Sequence, residues 1–321
     1  MFRKLCGLFI LLAFFGVQTV SAEVKEINFG IISTEASMNL KTMWNPFLAD
    51  MEKATGLKIN AFFASDYAGI IEGMRFNKVQ VAWYGNKSAM EAVDRAEGEI
   101  FAQTVPADGQ AGYYSHLIVH KDSPLNSLED VLKNAAGLSF GNGDPNSTSG
   151  FLVPSYYVFA VNKVDPKKIF KNVVSANHET NALSVANKQV DVATNNSENL
   201  ARLNVTHPDK RGLIKVVWTS PLIPSDPLVW RKDLPEATKA KIKNFLMTYG
   251  ATGKESEVAV LKALGWAPFK ESNDDQLLPI RQLELFKKRV KVEGDTTMSA
   301  EEKTKTLAEI DAKLEAIKAK I

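Results

Sequence analysis

Apolar residues in this chain follow two periods that take turns. Short β-branched and aromatic runs alternate with stretches in which apolar positions recur every three or four residues. Glu26 to Ser33 reads as a buried first strand. From Asn39 to Thr55, Leu40, Met43, Trp44, Phe47, Leu48 and Met51 share one face of a helix. Lys58 to Ala64 reads as a strand, Tyr67 to Asn77 as a helix, Val79 to Tyr84 as a strand and Ser88 to Ala96 as a helix. Strand and helix in alternation predict an α/β fold with a largely parallel sheet.

The second half continues the pattern. Tyr114 to Val119, Leu138 to Gly141, Val173 to Ser175, Val190 to Thr194, Lys215 to Trp218 and Pro227 to Trp230 read as strands. Residues 151–162, Glu179 to Asn187, Leu234 to Gly250 and Glu255 to Leu264 read as helices. Two passages suit crossings between lobes: Ser115 to Asp122, and Trp218 to Leu228 with its three prolines. The final stretch opens on a capping box, Ser299-Ala300-Glu301-Glu302. Lys303, Leu307, Ile310, Leu314, Ile317 and Ile321 then form an amphipathic seam. That seam fits either the chain's own body or the same helix of a second copy, giving a homodimer.

The first 22 residues have the build of a cleaved secretory leader: Arg3 and Lys4, an apolar run from Leu8 to Val20, and small residues at Val20-Ser21-Ala22. The apolar run is short for a membrane span. Cys6, the one cysteine, lies within the leader, before the expected cut, so the exported chain is expected to hold no disulfide. Removing Arg3 and Lys4 takes the basic count from 39 to 37 against 37 acidic residues, a net charge of zero. That balance argues against nucleic acid as a partner. Any anion recognition must be local.

Gly141 to Gly150 (GNGDPNSTSG) is where such recognition concentrates. Gly, Asn, Asp and Pro set a tight loop, and Ser, Thr and Asn cap helices. A helix start binds anions through its backbone N–H groups. Ser147, Thr148 and Ser149 add three hydroxyls to one such start, more than a single cap needs. Tyr67 and Tyr84 stand at turns that end strands, and Tyr113 precedes one; neutral O–H donors can hold an anion without adding charge. His178 follows a strand, with Asn177 or Thr180 as caps. Glu198 and Asp226 have no obvious basic neighbour in the sequence. If both face one cleft they attract a cation, so a ligand anionic at one end and ammonium at the other suits the set.

Long strings here match one family. They are Asn28 to Glu35, Asp66 to Ile71, Arg75 to Val79, Ala82 to Asn86, Gly141 to Pro154, His178 to Ala182, Thr194 to Asn196 and Asp226-Pro227. Through them the chain resembles the periplasmic phosphonate-binding proteins of phosphonate ABC importers. The resemblance implies an α/β, two-lobed periplasmic binding protein with a two-strand hinge and a C-terminal helical extension. It implies a leader at 1–22, a first lobe from 23–118 and 227–290, a second lobe at 119–226 and a tail at 291–321. By the same likeness, Tyr67, Tyr113, Ser147, Thr148, Ser149 and His178 hold the phosphonate oxygens. Glu198 and Asp226 meet the amino group of 2-aminoethylphosphonate. The partners implied are this small ligand and the membrane permease subunits of an importer. No catalytic residue, cofactor or metal is implied.

Three other readings compete. A receptor for inorganic phosphate or another small oxyanion leaves Glu198 and Asp226 without purpose. A secreted hydrolase using Ser149 or Thr148 with His178 lacks a Gly-x-Ser-x-Gly elbow. A zinc site at His116 and His120 fails because a strand separates residues four apart by about 13 Å.

Overall fold

The computed structural model describes residues 24–320; the expected leader, 1–22, and Ile321 lie outside that range. Two mixed sheets organise the chain. The first has strands β1 (Glu26–Ile31), β2 (Lys58–Phe63), β3 (Val81–Trp83), β4 (Gly98–Pro106), β12 (Pro227–Arg231) and β13 (Trp266–Glu271) in the order β13-β4-β12-β3-β1-β2. The second has β6 (Ser115–His120), β7 (Ser139–Asn142), β8 (Asn172–Ser175), β9 (Val192–Asn196) and β10 (Ile214–Thr219) in the order β10-β6-β9-β7-β8. In each, three neighbouring strands run parallel: β2-β1-β3 in one and β8-β7-β9 in the other. The pairings beyond them are antiparallel, so the sheets are mixed rather than largely parallel.

Alternation explains how the second sheet is buried. Leu117 and Val119 on β6 pack with Phe140 and Phe159 on one face, while Ile118 between them packs with Val185 and Leu203 on the other. The first sheet shares one large core, in which Trp44 meets Phe29, Trp83 and Trp266 at ring separations of 5.3–5.5 Å. Trp44 and Phe47 come from the helix whose apolar stripe is legible in the sequence, Ser37–Thr55.

The link between the sheets is a short antiparallel pair, β5 (Gly112–Tyr113) with β11 (Ile223–Pro224). Gly112 is needed there because a Cβ would stand 1.9 Å from the Ile223 carbonyl oxygen. The passage Ser115 to Asp122, expected as a crossing, is therefore corrected: β6 pairs with β9 and β10 inside the second sheet. The expected lobe boundary at 118 falls within that strand, and the crossing lies just before it. The expected start of the tail at 291 likewise falls inside a helix, Leu278–Gly294.

The tail helix Ala300–Lys318 starts on Ser299, whose hydroxyl accepts the Glu302 N–H, as the capping box predicts. Its seam is covered by the chain itself. Ile310 and Leu314 are buried against Leu285, Phe286 and Val292 of the preceding helix, so the apolar seam that suggested a second copy is already occupied. This small cluster is separate from the main cores. Ile310→Ala should cost about 2–5 kcal/mol locally. Hydrogen exchange should then lose protection over 300–318 and keep it over 139–150; equal loss in both would show that the tail is integral to the body.

Candidate ligand site between the lobes

Parallel strands present their carboxyl ends to loops that bind ligands. Here β1, β2 and β3 of one lobe and β7, β8 and β9 of the other feed such loops toward the same cleft, and side chains from both sets line one cavity. All eight expected ligand residues lie on its wall: Tyr67, Tyr113, Ser147, Thr148, Ser149, His178, Glu198 and Asp226. Tyr84 does not; fully buried, it donates to the Ile70 carbonyl oxygen at 3.0 Å and ties a strand to a helix.

The loop after β7 folds back on itself. The Gly143 N–H donates to the Gly150 carbonyl oxygen at 3.0 Å, and a Cβ on Gly143 would stand 2.5 Å from the Gly150 backbone. Ser147 caps the helix that follows, its Oγ accepting the Gly150 N–H at 3.0 Å. That helix begins at Thr148, three residues before the expected start at 151, and its first turns are π-type, with Leu152 N–H reaching the Ser147 carbonyl oxygen at 3.1 Å. The hydroxyls therefore belong to the helix start and not to the loop before it. Ser147, Thr148 and Ser149 are each only 2% exposed. The Thr148 hydroxyl accepts the Lys87 N–H from the other lobe at 2.8 Å and keeps its own hydrogen to donate.

His178 opens the helix His178–Ala186, capped by Asn177 through the Thr180 N–H. Its Nε2 lies 3.4 Å from Ser147 Oγ, 3.5 Å from Ser149 Oγ and 3.3 Å from Asn196 Nδ2. Burial, helped by the charge of Arg202, pushes its pKa down to about 3, so the ring is neutral at neutral pH. Burial also raises the pKa of Tyr67 and Tyr113, which stay protonated as neutral donors. The Tyr113 hydroxyl does not point its hydrogen at the serine cluster, as expected. It donates to Asp226 Oδ1 at 2.9 Å, which fits a buried carboxylate that needs a partner.

Arg202 overturns the expectation that Glu198 and Asp226 lack a basic neighbour. It lies one helical turn after Glu198 on Ser197–Thr206, lines the cavity, and forms an ion pair with Glu35 of the other lobe. Burial works against its charge, but Glu35, Glu198 and Asp226 together outweigh burial and hold it protonated. Burial raises the pKa of both cavity carboxylates, and the charge of Glu198 pushes Asp226 up further.

Asn196 is a second residue missed from sequence. It caps Ser197–Thr206 by accepting the Asn199 N–H, and its Nδ2 donates to Ser149 Oγ at 3.0 Å. Thr34 Oγ1, Trp83 Nε1 and His178 Nδ1, all on residues of the wall, are buried without a partner among the described residues. Each unpaired buried group costs about 1–3 kcal/mol, so a cluster of three marks a place built for a polar guest.

Residues 29–277 match the family described as "ABC transporter, phosphonate, periplasmic substrate-binding protein". The chain belongs to that family. It is 62% identical over 291 residues to the phosphonates-binding periplasmic protein of Escherichia coli, covering 91% of this chain and 85% of that one. It superposes with a TM-score of 0.90 on the binding protein component of an ABC phosphonate transporter from Pseudomonas aeruginosa, at 59% identity over 93% of this chain and 98% of the other. A phosphate-import protein of Mycolicibacterium smegmatis is 30% identical over 64% of this chain and 67% of its own length. This phosphonate-binding component of an ABC transporter is thus periplasmic by family, and its relatives are transport proteins rather than enzymes.

The raised carboxylates fix the sign of a pH effect. Asp226 ordinarily titrates near 3.8; a folded-state value well above this means the folded chain holds a proton that the unfolded chain has released. Its contribution to stability is present at low pH and is lost as pH rises. Asp226→Asn, which keeps an acceptor for Tyr113, should therefore raise the melting temperature of the ligand-free protein by a few degrees at neutral pH. The gap should close toward about pH 4. Scanning calorimetry across that range checks it; a variant that melts lower at neutral pH contradicts the assignment.

Proposed function

We propose that this binding protein captures 2-aminoethylphosphonate and hands it to the permease subunits of its importer, after export on a leader cleaved near Ala22. One observation carries the reading. One cavity between the lobes has a cluster of neutral donors, Ser147, Thr148, Ser149 and His178, and two carboxylates, buried Asp226 and partly buried Glu198, on the same wall. Donors of this kind suit a three-oxygen phosphorus head, and carboxylates suit an ammonium on its substituent. In this reading Tyr67 completes the donor shell, and Tyr113 orients Asp226 toward the amino end.

Most of the wall is buried, so ligand entry calls for the lobes to part. Ligand then favours the closed form because the two lobes contribute different parts of its shell. Closure displaces water and lets each charge-assisted bond count more than it would in solvent. The closed shape is what a permease would recognise.

A receptor for inorganic phosphate is the second reading, favoured by the phosphate-import protein among the relatives. It gives no work to Glu198 and Asp226, whose burial costs stability. A hydrolase reading gains nothing from His178: at 3.4 Å and 3.5 Å from two serine hydroxyls it is within reach, but no carboxylate bonds its Nδ1.

Glu198→Gln separates the two receptor readings. Losing one charged hydrogen bond, about 1.5–3 kcal/mol, should weaken 2-aminoethylphosphonate about ten- to a hundredfold and methylphosphonate far less. Titration calorimetry with both ligands decides; an equal loss for both sinks the amino-group assignment.

A further inference from the structure

Three helices of the first lobe begin at the cleft, and a side chain from the other lobe meets the start of each. Helix Ser37–Thr55 has Ala36 at its N-cap, with no side-chain bond of its own. Its Ala36 N–H donates to Glu179 Oε2 at 2.8 Å, and Asn39 Nδ2 donates to Glu179 Oε1 at 2.7 Å. Helix Asn86–Arg95 has Gly85 at its N-cap, again with no side-chain bond, and its Lys87 N–H donates to Thr148 Oγ1. Helix Tyr67–Arg75 carries its own cap, Asp66, yet its Tyr67 N–H donates to Asp144 Oδ2 at 3.1 Å. The loop before the first of these helices is held again by the Glu35–Arg202 ion pair.

Alanine and glycine have no side-chain acceptor to offer a helix start. A carboxylate there satisfies orphan N–H groups and meets the positive end of the helix dipole. These caps come from the opposite lobe, so they exist only while the lobes are together. They weigh the closed form against the open one and say nothing about which ligand sits inside. Neither Glu179 nor Asp144 lines the cavity.

We propose that Glu179 and Asp144 are positioning residues for ligand capture: by capping first-lobe helices across the cleft, they stabilise the closed form for any guest. The proposal rests on the phosphonate reading for its choice of probes. It differs from that reading in its consequence, because a closing contact scales every ligand's affinity by one factor, whereas Glu198 acts on the amino group alone. Thr148 caps and also lines the cavity, so it cannot separate the two roles.

The test uses the full mature chain with Glu179→Ala, Glu179→Gln and Asp144→Asn. Affinities for 2-aminoethylphosphonate and methylphosphonate are measured by calorimetry. Spin labels on cysteines replacing Phe76 and Val205, 66% and 84% exposed and in opposite lobes, report the distance between lobes. Glu179→Ala should weaken both ligands by the same factor, about tenfold. It should leave an open-distance population at saturating ligand that the parent chain lacks. Glu179→Gln, which keeps one acceptor, should recover part of the loss, and Asp144→Asn should show a smaller loss of the same kind. Unchanged affinities, a loss confined to one phosphonate, or weakened binding with the closed distance intact would each overturn the proposal. If the parent chain binds inorganic phosphate and neither phosphonate, the phosphonate reading fails on its own. The same variants titrated with phosphate then decide the capping role, an unchanged affinity overturning it.

Discussion

A charged head group can leave water only where its oxygens find donors already in place, and this fold collects such donors at one helix start. Ser147 shows how little freedom that leaves. Its hydroxyl oxygen caps the Gly150 N–H, and the Gly143–Gly150 contact holds the loop in the shape that makes the cap. The cap that Ser147 gives the helix therefore also orients the hydroxyl that the proposed function uses. His178 packs within 3.5 Å of the same serines and is kept neutral by burial, so it adds a donor or acceptor without adding charge. A cluster of neutral groups can adapt its hydrogens to the guest, which a guanidinium cannot.

Charge enters the site from the other direction. Buried Glu35 and Asp226 and partly buried Glu198 and Arg202 form one group with three potential negative charges and one positive. Such a group is costly in the absence of a cation, because burial penalises the two wall carboxylates, Glu198 and Asp226, and they repel each other. An ammonium would relieve that cost and a methyl group would not. The specificity proposed for the site is thus stored as instability of the ligand-free protein, a trade common where function needs a strained arrangement. Arg202 limits the instability without abolishing it, since it divides its attraction between Glu35 across the cleft and the two wall carboxylates beside it.

The sequence made the parallel strands and their helices legible because each carries a clear period, and the strand ends then pointed to the loops that line the cavity. What it hid has physical causes. The helix Ser197–Thr206 buries only Asn199, Leu200 and Leu203, two of them apolar, which is too little for a stripe, so the pattern does not place Arg202 one turn from Glu198. Glu35 stands 167 residues from Arg202, and nothing local announces an ion pair made by lobe closure. Strand β6 is legible as a strand, but its burial by two separate cores, and so its place inside the second sheet rather than between the lobes, is a long-range fact that no local pattern carries. The seam of the last helix is real, but a period reports only that a face is covered; the covering helix, Leu278–Gly294, carries enough Lys and Arg residues to mask its own apolar side.

Recognition and closure share one geometry. Three parallel strand ends in each lobe face the cleft, so the helix starts of the first lobe lie opposite the loops of the second. A side chain on those loops can reach a guest or a helix start, and Thr148 sits where both are in range. This has a cost for evolution of the site: altering a loop residue to suit a new head group also alters the cap that it gives the opposite lobe. On the proposals made above, a residue that only caps, Glu179, and one that only chooses, Glu198, would change independently. Such a division of the two tasks would let affinity and selectivity be set by separate substitutions, while the hydroxyl cluster at the helix start stays the same.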